Sequence, residues 1–109
     1  MAEAYKVLAQ SKPAAAVLTD AYAVPPGASV VVSTILICNQ SATPTSYRIA
    51  VAVAGAADEP AQYVAYDRVI AGNATHEITT GITLASPDVV RVFNTLATCS
   101  FNVFGSEIT

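Results

Sequence analysis

Charge is what this chain has least of. Only 12% of its 109 residues are charged, five basic and eight acidic, against about 25% in an average soluble domain. Tryptophan is absent and histidine occurs once. The apolar runs, such as residues 35–38 and 49–55, fall far short of the roughly 20 residues that a membrane-spanning helix needs, so no membrane partner is expected. The five cations, Lys6, Lys12, Arg48, Arg68 and Arg91, are scattered, and the net charge is −3. A phosphate backbone is bound through clustered basic charge, so no nucleic-acid partner is expected either. Residues 1–10 carry Glu3 before Lys6 and no continuous apolar core, which speaks against an export signal.

Two cysteines remain, Cys38 and Cys99, both inside apolar strand-like segments. Free cysteine in such a setting behaves as a small buried hydrophobe, and two buried free thiols are the favoured expectation. The alternative, a disulfide, requires the two Cα atoms within about 7 Å. Two isolated cysteines and one histidine lack the spacing of metal ligands, so neither a metal nor another cofactor is expected.

What is present is a succession of short runs rich in Val, Ile, Thr, Tyr and Phe, bounded by Pro, Gly, Asn, Asp or Ser, the signature of strands and turns. In residues 46–54, Tyr47, Ile49, Val51 and Val53 fall on one face and Ser46, Arg48, Ala50 and Ala52 on the other, a period of two. About eight strands are expected, at residues 5–9, 16–23, 29–38, 46–54, 62–70, 75–80, 89–94 and 98–104. The third is the most continuously apolar and is expected to lie centrally. Spacings of roughly ten residues with turn signals between them point to an all-β fold: one antiparallel β-sandwich, jelly-roll or immunoglobulin-like. The length suits a single domain.

No constellation for catalysis stands out. His76 is the only histidine, and the serines and threonines near it are ordinary strand or turn residues; a nucleophile, a base and an orienting group are all needed. No catalytic residue is therefore assigned, and His76 is expected to be a solvated edge residue. Asp58 and Glu59 are neighbours in a loop, a poor arrangement for converging on one substrate bond. Tyr47, Tyr63 and Tyr66 lie on adjacent strands and offer aromatic surface for a carbohydrate or receptor, although core packing is the commoner use.

The two ends of the chain carry the interface expectation. Residues 1–10 are set off by Ser11-Lys12-Pro13, and proline cannot donate to a ladder. This segment is expected to be an edge strand or an inter-subunit arm, open to pairing with a neighbouring chain. At the other end Phe104 and Ile108 flank Gly105. Tyr5, Leu8, Phe104 and Ile108 are the candidate interface residues.

A resemblance adds to this reading. The segments AYKVLAQSKPAA and AVLTDAYAVPPGASVVVSTILICNQ, and later RVIAGNATHEITTGITLASPDVVRVF and SFNVFGSEIT, resemble a group of small virion proteins of tailed bacteriophages, and together they span most of the chain. The resemblance implies a β-rich, non-enzymatic structural protein built in many copies into the virion and assembled in the host cytoplasm. Its partners would be copies of itself and other capsid or tail proteins. A capsid decoration (cement) role is the leading expectation; a tail, collar, baseplate or fibre-attachment component is the near alternative.

Overall fold

The computed structural model describes residues 2–109; Met1, the first residue of the expected arm, lies outside them. The apolar runs form nine strands: β1 (Glu3–Ser11), β2 (Thr19–Ala23), β3 (Ser29–Asn39), β4 (Thr45–Ala52), β5 (Tyr63–Ile70), β6 (Thr75–Ile78), β7 (Ile82–Ala85), β8 (Val89–Asn94) and β9 (Cys99–Ile108). All named strands pair antiparallel. One sheet runs β1-β9-β3-β6 with β7 also on β3, and the other runs β2-β8-β4-β5.

The ninth strand arises because one edge strand is interrupted. β6 lies opposite residues 35–38 of β3, and β7 opposite residues 29–32, along the same side. The break falls at residues 79–81, where Gly81 takes φ +68°, a conformation glycine adopts without a Cβ penalty. Counting β6 and β7 as one, the pairs β4–β5, β3–β6/β7, β2–β8 and β1–β9 form a long hairpin rolled upon itself. Its chain changes sheet at every connection except the β4–β5 turn. This is jelly-roll wiring. The immunoglobulin order, which places its first two strands in one sheet, does not occur.

Inward-facing residues of both sheets make one core. Val30, Val32, Ile35 and Ile37 of β3 and Phe101 and Val103 of β9 meet Tyr47 and Ile49 of β4 and Val90 and Val92 of β8, all fully or almost fully buried. Tyr47 and Phe101 meet edge to face at 6.0 Å, the arrangement aromatic quadrupoles favour. The expected central strand is indeed interior to its sheet, with β9 on one side and β6 and β7 on the other.

Bulges explain where strict alternation fails. The β3–β9 register shifts between Val32 and Thr34, leaving Ser33 as an extra residue whose Oγ donates to the Phe104 carbonyl. The inward set accordingly changes from Val30 and Val32 to Ile35 and Ile37. In β4 the expected outward alanines, Ala50 and Ala52, are buried. A loop covers them: Arg91, opposite Ala50 on β8, donates to the carbonyls of Ala56 at 2.7 Å and Gly55 at 3.2 Å. The second strand begins at Thr19 rather than at residue 16 because Ala16 turns the chain at φ +56°, and the fourth stops before Ala54 at φ +57°.

Two buried asparagines hold the turns at one end. Asn94 donates to the Ser46 carbonyl at 2.9 Å and accepts from the N–H groups of Thr98 and Cys99, each at 3.0 Å. Asn39 donates to the carbonyls of Thr43 and Ala71 and accepts from the Ser41 N–H. Each amide bonds to several backbone groups at once and so ties its turn to the sheet.

Candidate functional site

Where β1, β9 and β3 lie side by side, their outward faces form an apolar groove of about 550 Å³. The strand register assembles it. Tyr5 lies opposite Ser106, which lies opposite Val31, and Val7 lies opposite Phe104. Tyr5 is 81% exposed and Val7 50%, far more than a core-forming tyrosine or valine shows. The polar groups of the groove are tied among themselves. Glu3 accepts from the Tyr5 hydroxyl at 3.2 Å and from Ser106 Oγ at 3.0 Å. The first of these bonds, with the carboxylate's charge, raises the Tyr5 pKa above its ordinary value.

Paired bulges shape the floor. The β1–β9 register shifts between Val7 and Ala9, so Leu8 is the extra residue of β1, as Ser33 is of β3. Between them lies Gly105, where a Cβ would sit 2.1 Å from the Val31 carbonyl oxygen. Glycine is required there for close approach of two backbones. Of the four candidate interface residues, Tyr5 and Phe104 line the groove, and Ile108 is half-buried four residues beyond Phe104 on the same strand. Leu8 does not belong. The bulge turns it inward, and it packs against the core. Val7 and Val31, which the sequence reading missed, take its place; the alternation of Glu3, Tyr5 and Val7 along one face was the available signal.

Segment 1–10 is, in its described part, the edge strand of its own sheet: β1 pairs with β9 from Glu3 to Ser11. Its other side has no strand partner among the described residues. Near that edge Lys6 pairs with Glu107 at 3.1 Å, and Tyr22 of the opposite sheet donates to the same carboxylate at 3.0 Å. Lys6 first, then Tyr22, hold the Glu107 carboxyl below its usual value, while burial and Glu107 push the Tyr22 phenol up to about 12. This polar bridge closes the open side between β1 and β2.

The other sequence candidates are dispersed. His76 is half-buried, which corrects the expectation of a solvated residue: it lies opposite the inward-facing Ile37, and its Nδ1 is 2.9 Å from the hydroxyl of Tyr47 in the facing sheet. Tyr47 belongs to the core. Tyr63 and Tyr66 meet edge to face at 5.0 Å on the outer side of the four-stranded sheet. There the Arg48 guanidinium lies 4.2 Å from the Tyr66 ring centre and 4.6 Å from that of Phe93. Asp67, in a bulge at φ +49°, accepts from Arg48 Nε at 2.6 Å and Nη2 at 3.2 Å. Asp58 accepts from the Tyr63 hydroxyl, and Glu59 caps the short turn at Pro60–Gln62.

Cys38 and Cys99 are both free thiols. Cys99 is fully buried, but Cys38 is only half-buried, a correction to the expectation of two buried thiols. Cys38 lies opposite Ser100, and Cys99 opposite Asn39; one step apart in a pleated ladder, they project from opposite faces of the sheet. No His, Cys, Asp or Glu side chains gather in threes among the described residues, and none of their helices is long and apolar enough to cross a membrane. No protein-family model matches this chain, and no curated protein matches it.

Proposed function

We propose that this chain is a non-enzymatic structural protein of a bacteriophage virion, a capsid decoration protein that docks through apolar and strand-edge contacts. The observation that carries the reading is the groove at Tyr5, Val7, Val31 and Phe104, an apolar outer face beside the open strand β1. Exposed apolar patches rimmed by polar groups mark interaction surfaces, and an unpaired edge accepts a further strand. Jelly rolls serve in viral capsids and also in lectins. Fold alone does not choose between such uses, so the weight falls on the groove. The Tyr66 ring, 59% exposed, favours a second reading, a carbohydrate- or receptor-binding module. That ring is already stacked by Arg48, which leaves it less free for a sugar.

The test is co-sedimentation with tailed-phage particles purified without the protein, followed by electron microscopy of the reconstituted particles. Wild-type protein is expected to decorate the capsid surface in many copies. Tyr5→Asp with Val7→Asp is expected to stay folded and remain in the supernatant. Failure of the wild type to bind, or undiminished binding of the folded double variant, overturns the proposal.

A further inference from the structure

The open edge of β1 carries a pattern that identifies its partner. Ala2 and Thr109 exchange both backbone hydrogen bonds, each N···O distance being 2.8 Å. Bonded and non-bonded pairs alternate along an antiparallel ladder. Ala4 and Lys6 therefore also direct their backbone groups at β9, while Glu3, Tyr5 and Val7 turn theirs to the open side. Beyond the Leu8 bulge, Ala9 opposite Val103 and Ser11 opposite Phe101 continue the bonds to β9, so Gln10 turns outward; Lys12 directly follows the strand's last residue, and the same alternation carried one residue further turns it outward too. Two charges on this edge also lack a counter-charge: neither Glu3, which accepts only from the neutral Tyr5 and Ser106 hydroxyls, nor Lys12 has an ion-pair partner among the described residues.

We propose that β1 pairs with β1 of a second copy, antiparallel about a two-fold axis, with Glu3 opposite Lys12 of the second copy and Tyr5 opposite Gln10 of the second copy. In this register every outward-turned backbone pair meets another outward-turned pair. Ala4 then faces Ser11 of the second copy, and Lys6 faces Ala9 of the second copy, as non-bonded pairs with matched sidedness. The two-fold repeats the Glu3–Lys12 match, so both lone charges of each copy are compensated. Opposite charges directly across a ladder stabilise it, and like charges destabilise it. Other registers fail on one count or the other. Setting Glu3 against Lys6 of the second copy would oppose an outward backbone group to an inward one, and Lys6 is already engaged by Glu107. A two-fold contact of this kind is self-complementary and closes upon itself. It joins the two five-stranded sheets into one and sets the two apolar grooves on a single continuous face, which deepens the docking reading given above.

Sedimentation velocity of the purified protein across micromolar to millimolar concentrations tests the pairing without any particle, so its outcome is separate from that of the virion assignment. The wild type is expected to show a monomer–dimer equilibrium that weakens with salt. Glu3→Lys alone and Lys12→Glu alone are each expected to weaken the dimer about tenfold or more. Mixed in equal amounts, those two variants are expected to associate again, because each copy then offers the charge the other lacks. The double exchange Glu3→Lys with Lys12→Glu is also expected to restore self-association. Thermal melts confirm that each variant remains folded. A wild type that stays monomeric throughout, single reversals that leave the dimer unchanged, or mixed variants that fail to associate would each overturn the proposal.

Discussion

The half-buried setting of His76 makes stability depend on pH in a direction fixed by its surroundings. The imidazole is held below its ordinary value of 6.5, first by burial and then by the positive charge of Arg68. In the unfolded chain His76 takes up its proton near pH 6.5; in the native protein it does so only at lower pH. Between those two values the unfolded state binds more protons. The stability associated with neutral His76 is therefore complete above pH 6.5 and is lost as pH falls from there toward the native value. One proton limits the slope to about 1.4 kcal/mol per pH unit. The carboxylates held low by cations, Glu107 and Asp67, lose their contributions only in more acid solution, below about 4.5. Tyr47→Phe separates the hydroxyl from the ring, since the ring still packs on Phe101. Its cost is about 0.5–1.5 kcal/mol, because half-buried His76 can turn its nitrogen to water. That corresponds to a Tm lower by about 2–12 °C in a domain of this size. Urea unfolding at about pH 7.5, 6.5 and 5.5 measures both effects, and the single histidine gives one imidazole resonance whose titration reports the native midpoint. A midpoint above 6.5, or stability that rises as the solution is acidified from 6.5, would refute the reasoning.

Two further outcomes follow from the core. Asn94→Ala strands the Cys99 N–H and takes one of two partners from the Thr98 N–H, which also donates to the Leu96 carbonyl, and from the Ser46 carbonyl, which also accepts from the Thr95 N–H; with one buried orphan it is expected to cost about 1–3 kcal/mol, and denaturant unfolding that shows no measurable loss would remove Asn94 as the organiser of that turn. Under native conditions an alkylating reagent is expected to modify Cys38 well before Cys99, whose burial also raises its pKa and so lowers its thiolate content; intact-mass kinetics in which the two react together, or a mass lower by two hydrogens, would contradict the placement of the thiols.

Strand existence was legible in the sequence because period-two alternation and turn residues are local properties. Residues 89–94 coincide with β8, and residues 29–38 nearly span β3. Bulges were not legible, since they depend on which strand lies alongside. Nothing in the run from Val30 to Ile37 announces that Ser33 is skipped until Phe104 is placed beside it. Ala50 and Ala52 read as solvent-facing positions, and only the loop anchored by Arg91 buries them. The last strand was expected to end at residue 104, whereas the missing Cβ of Gly105 lets β9 continue to Ile108 against the Val31 carbonyl. The groove was half visible for the same reason. Tyr5 and Phe104 stood out as large apolar residues near the chain ends, while Val31 joins them only through the pairing of β3 with β9. Leu8 was misplaced because its direction is set by a bulge.

The position of β9 constrains when this molecule can fold. It occupies the interior of its sheet, between β1 and β3, yet of the nine strands it is synthesised last. While the first ninety-odd residues leave a ribosome, β3 lacks the neighbour that covers one side of its whole length, and β1 has no partner strand at all. Such long-range closure carries a large entropic cost before any contact offsets it. The nascent chain therefore gathers this sheet only once β9 has emerged, with Val30, Val32, Ile35 and Ile37 uncovered until then. Chaperone engagement during synthesis, and aggregation when β9 is withheld, are where that delay would be felt.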